Sequence, residues 1–205
     1  MNNKGLLLVV SGPAGSGKST VLAKIMQDGD CAYSVSATTR QPRPGEVNGV
    51  NYHFMTEEDF KQHVANGDFL EYTEYVGNYY GTLISEVRGK TEKGINVILE
   101  LEVQGAENVK HLYPESVLVW ILPPNYTTLE QRLRGRGTET DDVIKKRLTT
   151  AVKELEKFPL YDYLIINETD RPQEAVKALR EVINSERRRV NRTDGFVNEF
   201  MNNKI

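Results

Sequence analysis

Short apolar runs alternate with amphipathic stretches along most of this chain, and the two spacings predict different elements. Leu6–Val10, Val97–Leu101, Val117–Leu122 and Tyr163–Ile166 are apolar runs of strand length. Runs without polar alternation suit strands buried on both faces of a parallel sheet. Most are bounded by Gly, Pro or Asn. Elsewhere the apolar residues recur at helical spacing, which predicts helices over Ser19–Gln27, Gln104–His111, Thr128–Arg134, Asp141–Lys157 and Pro172–Arg189. Val21, Leu22 and Ile25 mark the buried side of the first; Ile144, Leu148, Val152 and Leu155 mark one face of the fourth. The alternation predicts an α/β fold, a parallel sheet with helices on both faces.

Two stretches interrupt it. Thr38–Thr82 is rich in Gly, Pro, Asn and Tyr, with short strand signals at Tyr52–Met55, Phe69–Tyr75 and Asn78–Thr82. One helix is predicted among them, Thr56–Ala65, with Glu58 and Asp59 in its first turn. This reads as a small mixed α/β insertion. The second stretch, Pro123 to Phe158, opens Pro-Pro-Asn and holds two helices joined at Gly135–Thr140. Thr127 and Glu130 have capping-box spacing for the first of them. The Asn-rich chain ends are expected to fray.

A length of 205 residues allows one large domain or a core with insertions. The formal net charge of −3 gives no broad basic footprint, so nucleic acid is not an expected partner. The one basic cluster, Arg187-Arg188-Arg189 with Arg192, is expected to be a solvated last helical turn. Cys31 is the sole cysteine, so no intrachain disulfide forms. With no signal-peptide pattern and no apolar run long enough to span a bilayer, a cytoplasmic protein without a membrane partner is expected.

The chemistry begins at Gly12-Pro13-Ala14-Gly15-Ser16-Gly17-Lys18-Ser19, followed by Thr20. It fits the phosphate-binding pattern G-x-x-x-x-G-K-[ST] and stands between a predicted strand and a predicted helix, the setting that pattern requires. Glycines let a tight loop wrap an anion, and the next helix offers its positive end. Lys18 is suited to reach the β- and γ-phosphates of ATP, and the Ser19 hydroxyl to ligate Mg²⁺.

A second anion site is suggested by Arg40-Gln41-Pro42-Arg43-Pro44-Gly45-Glu46. Two arginines in a proline-stiffened loop suit bidentate contact with phosphate or carboxylate. Tyr52, Tyr79, Tyr80 and Thr82 follow with hydroxyls, and Glu71 lies in the same insertion. A carboxylate facing a base edge accepts two parallel N–H bonds; guanine offers that pair and adenine does not. Later, Arg132 and Arg136 stand four apart on one predicted helix, with Arg134 between them and Arg147 on the next. Like charges at that spacing repel unless a polyphosphate lies between them.

These residues resemble the guanylate kinase family over nearly the whole chain. The resemblance rests on Ser11–Thr20, Ser36-Ala37-Thr38-Thr39-Arg40-Gln41-Pro42-Arg43-Pro44-Gly45-Glu46, Gly49–Phe54, Gly77–Thr82, Gln104-Gly105, Arg132-Leu133-Arg134-Gly135-Arg136-Gly137 and Asn167. It implies ATP + GMP giving ADP + GDP with Mg²⁺. The implied fold is a P-loop NTPase-type core (4–37, 83–124 and 159–188), a GMP-binding insertion (38–82) and a helical lid (125–158), within a domain of 4–188 and a tail of 189–205. Gly12 to Thr20 and Asn167 are implied to bind ATP, with Ser19 on Mg²⁺. Ser36, Arg40, Arg43, Tyr52 and Tyr80 are implied around the GMP phosphate, and Glu71 and Thr82 around guanine; Glu102 is implied among the GMP-binding residues, touching either guanine or a Mg²⁺-bound water. Lys18, Arg40, Arg132, Arg136 and Arg147 are implied to serve catalysis. One departure stands out. The family usually carries Asp-x-Asp before Gln-Gly, and this chain carries Glu100-Leu101-Glu102-Val103-Gln104-Gly105. Each Glu places its carboxylate about 1 Å further out. Acceptance of dGMP and the choice between monomer and homo-oligomer stay open. Two alternatives also stand: a P-loop kinase for another nucleoside monophosphate or a sugar phosphate, and a non-catalytic guanylate-kinase-like module that binds phosphopeptides.

Overall fold

The computed structural model describes residues 4–29, 31–75, 77–135, 140–193 and 196–202. The chain opens with β1 (Leu7–Ser11), α1 (Lys18–Ile25), β2 (Cys31–Tyr33), β3 (Ala37–Thr38) and β4 (His53–Phe54). It continues with α2 (Glu57–Asn66), β5 (Phe69–Tyr75), β6 (Asn78–Leu83), α3 (Ile84–Thr91) and β7 (Asn96–Glu100). Then come α4 (Val103–Leu112), β8 (Val117–Leu122), α5 (Tyr126–Arg134), α6 (Asp141–Glu154), β9 (Tyr163–Ile166), α7 (Pro172–Glu186) and α8 (Phe196–Asn202).

The main sheet has the order β2-β7-β1-β8-β9, and its strands pair in parallel. Side chains alternate across it, so each strand feeds two cores. Leu8, Val10, Ile98, Val119 and Ile121 pack with Val21, Leu22 and Ile25 of α1 and with Leu179 and Ile183 of α7. Leu7, Val9, Val97, Leu99 and Leu118 pack on the other face with Val87 of α3 and Ala106 and Val109 of α4. Helices therefore cover both faces, as the apolar runs predicted, except at the edge strand β9, whose Leu164 and Ile166 remain exposed. Because β1 is central, the loop that follows it leaves the middle of the sheet's C-terminal edge, where ligands of open α/β sheets bind.

A second sheet, β4-β3-β6-β5, carries the Gly- and Tyr-rich stretch. Its core is Ala37, Phe60 and Phe69, with Phe60 stacked on Phe69 at 4.4 Å and on Tyr79 at 5.4 Å. Thr56 caps α2, its hydroxyl accepting from the Asp59 backbone N–H at 3.1 Å. Helices α5 and α6 bury Leu129, Leu133, Ile144, Leu148 and Ala151 against each other, with Ala14 of the glycine loop packed on them.

Several expectations shift. The cap of α5 is Asn125, whose Oδ1 accepts from the Thr128 N–H at 2.8 Å, so the Thr127 capping box does not form. The buried stripe of α6 is Ile144, Leu148 and Ala151; Val152 and Leu155 lie one step off it and are exposed. The helix ends at Glu154, and a 3-10 segment, Leu155–Leu160, follows with Pro159 inside it. Tyr52–Met55 shortens to His53–Phe54. The short strands β2 and β3 and the helix α3 were not anticipated. Of the chain ends, 1–3 and 203–205 lie outside the described residues, while Phe196–Asn202 is helical.

The basic cluster near the C-terminus is also not simply solvated. Glu186, only 1% exposed, accepts from Tyr163 OH at 2.6 Å and from Arg192 at 3.0 Å, with Arg189 at 3.3 Å. Arg192 also donates to the Glu115 carbonyl at 2.7 Å, tying the segment after α7 to the start of β8. Burial pushes the Glu186 carboxyl up, but the bonds from Tyr163 and Arg192 and the nearby arginine charges outweigh it and hold it below the usual range. A depressed carboxyl stabilises the fold above its unfolded pKa and loses that effect as pH falls through its folded value. Glu186→Ala is expected to lower unfolding stability by about 2 kcal/mol at neutral pH, because the arginines left behind are partly solvated. Urea unfolding at neutral and acid pH checks this, and the deficit should shrink as the wild-type carboxyl is protonated.

Candidate active site

The glycine loop is shaped by residues that accept left-handed backbone. Gly17, the N-cap of α1, has φ 85°. A Cβ there would meet Asn167 Nδ2 at 2.3 Å, so only glycine fits both the dihedral and the contact. Lys18 folds back over the loop, its ammonium donating to the Gly12 carbonyl and, at 3.3 Å, to the Pro13 carbonyl. The Ser16 carbonyl is held from outside by Asn167 Nδ2 at 2.8 Å and by the Arg132 guanidinium at 3.2 Å. Arg132 donates further to the Asn167 carbonyl at 2.8 Å and to Thr169 Oγ1 at 3.0 Å. Burial pulls its pKa down somewhat, against the opposing charge of Glu168. The Ser19 hydroxyl donates to Glu100 Oε1 at 3.2 Å. Thr20 lies exposed on α1.

A cleft of about 550 Å³ opens beside this loop. It is bordered by Gly12–Ala14 and Lys18, by Glu100–Val103 at the end of β7, and by Lys146, Arg147, Thr150 and Glu154 of α6. The structure thus brings Lys18, Glu102 and Arg147 to one cavity. Arg136 lies outside the described residues. Arg134, between the two predicted arginines, pairs with Glu130 and Asp141 instead of facing the cleft. Volume alone does not identify the site. Another cavity of about 440 Å³ lies at the opposite end of the strands, bordered by Lys4, Lys110, Asp162, Glu186 and Arg192. There Lys110 is engaged by Asp162 and Arg192 by Glu186, which leaves a poor cradle for an anion.

The second sheet gathers the other predicted residues. Arg40 Nη2 donates to both carboxylate oxygens of Glu46, at 2.9 and 3.0 Å, and the guanidinium lies over the Tyr52 ring at 5.4 Å and the Phe54 ring at 5.7 Å. Glu46 also accepts the Arg43 backbone N–H at 2.6 Å, while the Arg43 side chain is exposed. Tyr52 and Tyr80 meet edge to face at 6.1 Å. The Ser36 carbonyl accepts the His53 N–H at 2.9 Å, setting β4 directly after Tyr52. Glu71 and Thr82 are register partners on β5 and β6, and the Thr82 hydroxyl donates to Glu71 Oε1 at 2.7 Å. Burial pushes the Glu71 carboxyl up, and the bonds from Thr82 only partly offset it. Among the described residues bordering the cleft, none belongs to this second sheet.

Three contributors carry no role assigned from the sequence. Glu100 reaches Ser19, Glu46 clasps Arg40, and Glu154 borders the cleft seven residues after Arg147. The seven-residue spacing puts Arg147 and Glu154 on one helical face, a signal the sequence does contain.

The guanylate kinase family model matches residues 4–186, and this decides the relationship. The chain belongs to the guanylate kinase family. A guanylate kinase of Shouchella clausii is 47% identical over 89% of this chain and 89% of its own. One from Streptococcus thermophilus is 45% identical over 100% of this chain and 98% of its own. The crystal structure of guanylate kinase from Anaplasma phagocytophilum superposes with a TM-score of 0.71 at 28% identity, covering 98% of this chain and 96% of that one. Guanylate kinases are ATP:GMP phosphotransferases, and the sheet, loop and cleft described above are the P-loop fold of this family.

Gly17→Ala is expected to cost about 1–2 kcal/mol through the left-handed dihedral alone. Thermal unfolding should show the loss, and a nucleotide triphosphate titration should show weakened binding, because Asn167 must leave the Ser16 carbonyl.

Proposed function

We propose that the P-loop cleft holds ATP, that the second sheet holds GMP, and that α5 and α6 close over both. The pairing of Glu71 with Thr82 carries the acceptor assignment. It presents a half-buried carboxylate with one oxygen already oriented, suited to the two adjacent N–H groups of guanine. Arg40, Arg43, Tyr52 and Tyr80, with Ser36 nearby, hold the GMP phosphate, and Glu46 and the aromatic rings keep Arg40 in place. Glu102, longer than the family's usual aspartate, serves the same acceptor from the cleft wall.

Gly12 to Thr20 wrap the ATP phosphates, and Asn167 fixes the loop's outer side near the base. Lys18 leaves the loop carbonyls for the β- and γ-phosphates. Arg132, Arg136 and Arg147 neutralise the phosphoryl group in flight. A GMP phosphate oxygen, already ionised at neutral pH, attacks the γ-phosphorus in line as the bond to ADP breaks. No general base is required. Closure excludes water, which suppresses ATP hydrolysis.

The Ser19 hydroxyl beside the Glu100 carboxylate is a hard oxygen pair that fits Mg²⁺. When bound, Mg²⁺ supplies neutralisation of phosphate charge. Ser19 would ligate it, and Glu100 would orient that hydroxyl or a coordinated water.

Lys18→Ala is expected to lower kcat at least about a hundredfold, and normal turnover in that variant would remove the loop from the chemistry. A coupled ADP-release assay should show GMP strongly preferred over AMP, CMP, UMP and a sugar phosphate; equal rates would favour another acceptor. Glu71→Gln should reduce kcat/KM for GMP about tenfold to a hundredfold while sparing ATP binding. The raised Glu71 pKa adds a sign. Acidification protonates the acceptor earlier than an ordinary carboxylate, so wild-type KM for GMP should rise as pH falls. The Gln variant should not show that rise.

A further inference from the structure

The site above leaves one polar cluster unused, beneath the P-loop on the sheet face that α4 covers. Ser11 ends β1, directly before Gly12, and its register partner on β8 is Trp120. Both are fully buried. Each follows by two residues a side chain on the α4 face, Val9 and Leu118, so both point to that face. Trp120 is the chain's only tryptophan. Its ring lies 4.3 Å from that of Tyr161, edge to face, and 5.9 Å from that of Phe158. Phe158 and Tyr161 belong to the return from α6 to β9. The root of the α5–α6 pair therefore rests on Trp120.

Ser11 Oγ, Trp120 Nε1 and Tyr161 OH are all buried without a hydrogen-bond partner. Ser11 is near enough to ease ionisation of the Tyr161 phenol, yet no direct bond of good geometry joins the two hydroxyls. Burial, together with the charges of Glu154 and Glu107, outweighs that influence and keeps the phenol protonated, a competent donor. Three buried polar groups without partners are costly, and one water with three partners satisfies them. Glu154, the last residue of α6, connects this spot to the phosphate cleft that it also borders.

We propose that Ser11, Trp120 and Tyr161 share one internal water, and that this joint fixes the root of α5–α6 to the stem of the P-loop. Tyr161 is thereby a positioning residue for phosphoryl transfer. The inference rests on the reading of 125–158 as the element that closes over ATP. The joint touches neither nucleotide. Loosening it moves Arg147, carried on α6, relative to Lys18, so chemistry suffers more than binding.

Two readouts keep the joint separate from the transfer reading. In the unliganded protein, Trp120 emission reports the water at its N–H. Tyr161→Phe and Ser11→Ala should each shift that emission to shorter wavelength, and unchanged emission in both overturns the joint whatever the activity. In turnover, Tyr161→Phe should lose kcat about tenfold with KM for ATP and GMP within about twofold. Ser11→Ala should act in the same direction, and the double variant should be no worse than the worse single one, since both remove the same bridge. A merely structural Tyr161 would lower Tm and leave kcat intact. Full kcat in Tyr161→Phe, or additive losses in the double variant, overturns the positioning role. Failure of the wild type to form GDP would instead overturn the transfer reading, and the emission shifts would still test the joint.

Discussion

A loop that offers its amide N–H groups to an anion must leave carbonyls that need donors of their own. In this chain that requirement organises the surroundings. The Ser16 carbonyl takes donors from Asn167, just past β9, and from Arg132 of α5, while Lys18 covers the carbonyls of Gly12 and Pro13. The end of β9 and the helix pair α5–α6 are thus drawn to one turn of backbone at the centre of the sheet. Ala14 adds an apolar contact from the loop to the core of that pair. The phosphate site is consequently built against the element proposed to close over it.

The acceptor half follows a different logic. Its sheet has a small aromatic core, and its charged groups are pre-paired. Glu46 holds Arg40, Tyr52 and Phe54 flank the guanidinium, and Thr82 orients Glu71. Pre-pairing reduces the side-chain entropy lost when an anion or a base arrives. The donor half instead keeps Lys18 folded on its own loop, a position that an incoming phosphate must displace. The two halves sit on separate sheets, and the described lining of the phosphate cleft includes none of the second-sheet residues. The transfer proposed between them therefore requires the proposed closure of α5 and α6.

Much of the fold was legible because its signals are local. Continuous apolar runs such as Val117–Leu122 can be satisfied only by two covered faces, and the strand matches the run. The strand ends of Phe69–Tyr75 and the Thr56 cap were likewise readable. What escaped depends on neighbours. The strands Cys31–Tyr33 and Ala37–Thr38 are two or three residues long and exist because a partner strand is waiting. Asn125 took the cap of α5 from Thr127 because the helix begins earlier than its apolar spacing suggests. Residue types pointed to the site, but pairings did not. Nothing local says that Glu46 clasps Arg40, that Glu100 meets Ser19 across 81 positions, or that Glu186 gathers Arg189, Arg192 and Tyr163.

As proposed above, this molecule passes a phosphoryl group from one nucleotide to another between two pre-formed charged sites. The most direct measurement supplies ATP labelled in its γ-phosphoryl group together with GMP and Mg²⁺, and follows the label. The label is expected to appear in GDP and to depend on GMP. Label released as inorganic phosphate, at a rate indifferent to GMP, would contradict the proposed transfer.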